Sequence, residues 1–96
     1  MENRSNVYQI GRLWAIAEAV APTLTRHFGK FLNRPQLLLA QMGRVARVRK
    51  VWEINGGNEI FELIDASSPI PQFEASGEIV AGYYHQQSAM ARSAHE

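Results

Sequence analysis

The sequence predicts an all-α protein, a compact bundle of about five helices forming a single domain over residues 1–96. Three observations carry that prediction. Apolar residues recur at helical spacing in three long stretches, 7–20, 38–52 and 79–90. No stretch alternates apolar and polar residues with period two over a useful length. Pro22, Pro35, Asn55-Gly56-Gly57 and Ser67-Ser68-Pro69-Ile70-Pro71 punctuate the chain where helices must stop or start.

In chain order, Asn3 or Ser5 can cap a first helix, about Asn6 to Val20. Val7, Ile10, Leu13, Trp14, Ala17 and Val20 make its wide apolar face, with Arg12 on the opposite side. Gly11 lies inside this helix, where it costs up to about 1 kcal/mol relative to Ala. That cost predicts close approach of another backbone. Thr23 can cap a short second helix, which Gly29 ends.

Asn33 and Pro35 read as cap and first turn of a third helix running to about Trp52. Leu38, Gln41, Met42, Val45, Val48 and Trp52 define its buried side. Arg44, Arg47 and Lys50 recur every three residues and project from the other side. Arg49 falls at the apolar stripe, where it either snorkels or pairs with an acid of the second half. After the Asn55-Gly56-Gly57 break, Asn58 can cap a fourth helix, Glu59 to Asp65, with Ile60, Phe61 and Ile64 inward. Glu59 and Glu62 occupy its first turns, where the helix dipole favours them. The last helix begins at Phe73 or Ala75 and runs to about Arg92. Ile79, Tyr83, Gln86 and Met90 share one face. Ala75, Gly82 and Ala89 repeat every seven residues, a strip that lets a second helix approach closely. The tail from Ser93 to Glu96 should fray.

The charge is divided along the chain. From Ala19 to Trp52 there is no Asp or Glu, while Arg26, Lys30, Arg34, Arg44, Arg47, Arg49 and Lys50 all fall there. From Glu53 to Ala91 there is no Lys or Arg, and Glu53, Glu59, Glu62, Asp65, Glu74 and Glu78 take over. A net charge of +1 conceals this asymmetry. A basic block on a small domain suggests a polyanionic partner, most often nucleic acid. The aromatics do not interleave with the cations, so the expected contact is to phosphate backbone rather than to bases. The bland alternative is a solvated helix face.

Other function classes find little support. Cysteine is absent, so there is neither disulfide frame nor thiolate metal site. His27, His85 and His95 have no metal-ligand spacing and no nucleophile at a suggestive distance. The reading is therefore of a non-enzyme with no cofactor and no metal. The N-terminus is unlike a signal peptide, and no apolar run approaches the roughly 20 residues of a membrane span. A soluble cytoplasmic chain with no membrane partner is expected.

Two segments carry a resemblance. Tyr8-Gln9-Ile10-Gly11-Arg12-Leu13, with Ala15 and Glu18 following, resembles a motif near the start of the C-terminal helical region of the type I-C CRISPR Cascade large subunit. Ala81-Gly82-Tyr83-Tyr84-His85-Gln86 resembles the Gly-Tyr-Tyr-His-Gln motif close to that protein's C-terminus. Phe28-Gly29 and the Pro35 helix occupy similar places between them. In this family the region is also made separately, from an internal start, as the Cascade small subunit, and a chain starting at Met1 suits that product. The resemblance implies a non-catalytic helical bundle among other Cascade subunits: the large subunit, the backbone subunits and another copy of itself. It implies contact with the backbones of target and displaced DNA strands in the R-loop. The guide RNA, which reads the sequence, is then an indirect partner. The charge division also suits head-to-tail stacking of copies. On this reading Tyr8, Gly11, Arg12, Gly82, Tyr83, Tyr84 and His85 meet between first and last helices and serve architecture. The leading alternative is a small helical adaptor that binds only proteins.

Overall fold

Helix α1 (Asn6–Val20) is the axis of the protein. The computed structural model describes residues 6–31, 34–64, 70 and 76–94. After α1 come α2 (Pro22–Thr25), a tighter 3-10 stretch Arg26–Phe31, α3 (Pro35–Gly43), α4 (Ala46–Ile54), α5 (Gly57–Glu62) and α6 (Ser76–Ala94). Among the described residues there is no strand. The expected caps Asn3, Ser5 and Asn33, and all of the Ser67–Pro71 connector but Ile70, lie outside the described residues.

The sequence pattern gives α1 one apolar face; the structure buries it nearly all round. Ala15 and Ile16 are as buried as Ile10, Leu13 and Ala17. The reason is position, since α1 packs against α2, α3, α4, α5 and α6. A helix enclosed on most sides needs only a narrow polar stripe, and only its end is open, with Val20 of the expected apolar face 52% exposed. Even Asn6 and Gln9 are buried. Arg12 does not point away from the core, as angular spacing alone suggests. It lies half-buried beside α6, hydrogen-bonded to Gln86.

The long third helix is two helices. α3 ends at Gly43, Arg44 is its C-cap, and Val45 adopts an extended conformation, φ −94° and ψ 111°, that starts α4. Gly43 costs helical stability, and a Cβ there would meet nothing within 4 Å, so no close packing demands it. The Val45 carbonyl accepts the Val48 and Arg49 amides, which opens the new helix. The apolar spacing hides this break. Leu38, Met42, Val48 and Trp52 are all buried, because the chain turns without losing the phase of its inward face. Arg49, expected at the stripe, is exposed.

Trp52 ties α4 to the axis. Its Nε1–H donates to the Leu13 carbonyl at 3.0 Å. Gly57 then lies against the Trp52 side chain, where a Cβ would sit 2.5 Å from the Trp52 Cβ. The glycine pair is thus more than a loop. Gly56, in the left-handed region at φ +83°, is the N-cap, and α5 starts at Gly57 rather than after Asn58. Ile60 is buried, whereas Phe61, expected inward, is 46% exposed with its ring 6.2 Å from that of Trp52.

Candidate functional site: a helix seam and a basic surface

The seam between α1 and α6 brings the two sequence motifs together through their glycines. A Cβ on Gly11 would lie 2.1 Å from the Ile79 carbonyl oxygen, and one on Gly82 2.0 Å from the Tyr8 carbonyl oxygen. Each glycine therefore faces the backbone of the opposite helix. The neighbouring contacts are reciprocal, Gly11 reaching the Tyr83 amide and Gly82 the Arg12 amide. Such proximity suits weak Cα–H···O contacts and leaves no room for a side chain. Ala89, from the same strip, is half-buried; Ala75 lies outside the described residues.

Polar side chains flank this contact. The Tyr8 hydroxyl is 2.7 Å from His85 Nδ1, and their rings meet edge to face at 5.5 Å. Arg12 donates from Nε to Gln86 Oε1 at 3.0 Å and from Nη1 to Gln9 Oε1 at 2.8 Å. The Tyr83 hydroxyl donates to the Glu18 carboxylate, and its ring lies 4.6 Å from that of Trp14. Burial first, then the hydrogen bond to Glu18 and its negative charge, push the Tyr83 phenol up to about 12. Tyr84 departs from the expected meeting. It is 58% exposed and touches Tyr83 edge to face instead of reaching α1.

The basic residues lie elsewhere. Arg26, Lys30, Arg34, Arg44, Arg47, Arg49 and Lys50 are all exposed. They do not form one helical row. Arg26 and Lys30 are on the 3-10 stretch, Arg34 precedes α3, Arg44 sits at the elbow between α3 and α4, and Arg47, Arg49 and Lys50 are on α4. The elbow therefore separates Arg44 from the Arg47–Lys50 pair that the uninterrupted spacing grouped with it. Arg47 and Lys50 line an open cleft of about 650 Å³ with Val20, Pro22, Thr23 and Val51. Lys50 also lies 3.9 Å from Glu53, both largely exposed, an ion pair worth little in water. Lys30 stands 5.3 Å from the centre of the Phe31 ring.

Gln9, Glu18 and Gln86 belong to the seam without being singled out as site residues. Their side chains are generic by type; Gln9 meets Arg12 one turn along α1, whereas Glu18 and Gln86 gain their partners only from the pairing of the two helices. Among the described residues no group of three or more His, Asp or Glu could hold a metal ion, and no helix is long and apolar enough to cross a membrane. No protein-family model, curated protein or solved structure matches this chain.

Proposed function

We propose that this chain is a non-catalytic small subunit of a type I CRISPR Cascade complex, holding target and displaced DNA strands of the R-loop by their phosphates. One observation carries the reading. Seven cations in an acid-free run are all exposed, spread over four consecutive segments of one chain half. That arrangement favours a long polyanion over a single small ligand. The aromatics nearest the cations are poorly placed for base stacking. Phe28 and Trp52 are buried, and Phe31 packs against the core. Backbone contact without base readout follows, which suits a complex whose guide RNA reads the sequence. The Cascade assignment itself rests on the resemblance of the two motifs, and their meeting across one seam is consistent with a shared architectural role.

The test uses assembled Cascade on target DNA. Each phosphate neutralised on a single strand contributes a salt slope of roughly 0.7. Arg44→Ala, Arg47→Ala and Lys50→Ala together should flatten the slope by about 2 and weaken the R-loop, with the difference from the wild type largest at low salt. All three side chains are exposed, so the variant should fold. Unchanged R-loop stability and salt dependence would put the protein-only adaptor ahead. That second reading has its own observation: Ile54 at the end of α4, Phe61 on α5 and Leu63 just after it are 70%, 46% and 57% exposed.

A further inference from the structure

We infer that the α1–α6 seam carries a phosphate-binding groove of its own, separate from the basic surface. Beside the glycine contact is an open, polar groove of about 470 Å³, lined by Tyr8, Arg12, His85, Gln86, Ser88 and Arg92 among others. Among the described residues that line it, none is acidic. Two guanidinium groups from different helices face it, Arg12 from α1 and Arg92 from the last turn of α6.

The Arg12 geometry carries the argument. Its guanidinium is held by two carbonyl oxygens, those of Gln86 and Gln9. These acceptors orient the fork but do not cancel its charge. Among the described residues no carboxylate pairs with Arg12; Glu18, on the same helix, is engaged by Tyr83. The amide contacts occupy Nε and one hydrogen of Nη1. The remaining N–H groups of a half-buried, pre-oriented cation are left to donate into the groove. Holding Arg12 in place lowers the side-chain entropy lost on binding. His85 is oriented likewise by the Tyr8 hydroxyl at 2.7 Å, which leaves Nε2 free of that contact. Ser88 adds a hydroxyl. Planar forks, a fixed imidazole and a hydroxyl around a groove with no acid among its described lining residues match a tetrahedral oxyanion with several acceptor oxygens. A phosphate monoester and the phosphodiester of a nucleic-acid strand share that chemistry.

The probes are inorganic phosphate and a short oligothymidylate, each followed by NMR of the Arg12 Nε–H and His85 ring signals. Sodium chloride at matched ionic strength is the reference. Saturable shifts with phosphate that chloride does not reproduce are expected. Tighter binding of oligothymidylate assigns the groove to a strand, and preference for phosphate assigns it to a small phosphorylated ligand. Either result supports the groove. Arg92 is exposed, so Arg92→Gln should fold and weaken binding by roughly three- to tenfold. No saturable shift with either probe, or equal shifts with chloride, overturns the inference. So does unchanged affinity in Arg92→Gln. The Arg44→Ala, Arg47→Ala, Lys50→Ala variant separates this site from the proposed function. It should keep the groove's response to phosphate, and losing that response would count against the groove. Undiminished Cascade R-loops in that variant would count only against the proposed function.

Discussion

Gly82→Ala tests the seam that joins the two motifs. The added Cβ would sit 2.0 Å from the Tyr8 carbonyl oxygen, 2.9 Å from its carbon and 3.2 Å from the Arg12 nitrogen. An ordinary contact needs more than a further ångström, and the obstacle is backbone, so no side chain can swing aside. The helices must part. Forcing extra volume into a packed site costs roughly 1–3 kcal/mol, occasionally more. A gap of up to about 1 Å also forfeits a quarter to a half of each dispersion contact along the seam. Ala is the better helix former by up to about 1 kcal/mol, which offsets part of the loss. The net expectation is destabilisation of roughly 2–3 kcal/mol, or a melting point lower by about 8–24 °C. Urea unfolding monitored by the far-ultraviolet helix signal measures it directly. Gly77→Ala is the control, since a Cβ there meets nothing within 4 Å. It should be neutral or slightly stabilising. A Gly82→Ala protein as stable as the wild type would show that α1 and α6 do not touch at this point, and the seam would have to be redrawn. Gly11→Ala should cost a similar amount. The double variant should cost less than the sum, because one separation relieves both clashes.

Three further outcomes follow from the same geometry. Folding raises the Tyr83 pKa from 10.0 to about 12, so the folded state holds that proton more tightly. This contribution is complete below pH 10 and is lost as pH rises through about 12, so stability should fall with pH in that window, less steeply in Tyr83→Phe. Identical slopes for the two proteins in urea midpoints taken across that window would refute it. Trp52→Phe removes the donor to the Leu13 carbonyl while that carbonyl keeps its place in α1; a loss of roughly 1–2 kcal/mol is expected in thermal unfolding. Gly57→Ala brings a Cβ to 2.5 Å from the Trp52 Cβ, so it should shift the tryptophan fluorescence and lower stability; an unperturbed spectrum would mean α5 docks differently.

Helix α1 and the seam divide what was legible in the chain from what was not. Apolar period and proline positions located α1 from Asn6 to Val20 and named most of the buried core, because both depend on neighbours within a few residues. The energetic cost of a glycine in a helix marked Gly11 as a contact point without saying what it touched. The elbow at Val45 was not legible. A spacing of three and four residues survives a turn that preserves the inward phase, so periodicity alone joined α3 to α4 and grouped Arg44 with Arg47 and Lys50. The burial of α1 on most sides was equally hidden, since the number of helices around an axis is a property of the assembled bundle. Gln9, Glu18 and Gln86 are ordinary polar residues in the sequence. Gln9 meets Arg12 within α1, but Glu18 and Gln86 become partners of Tyr83 and Arg12 only when two glycines let two backbones meet, contacts between residues more than sixty positions apart. Local free energy wrote the helices; only the packed chain decided which side chains face one another.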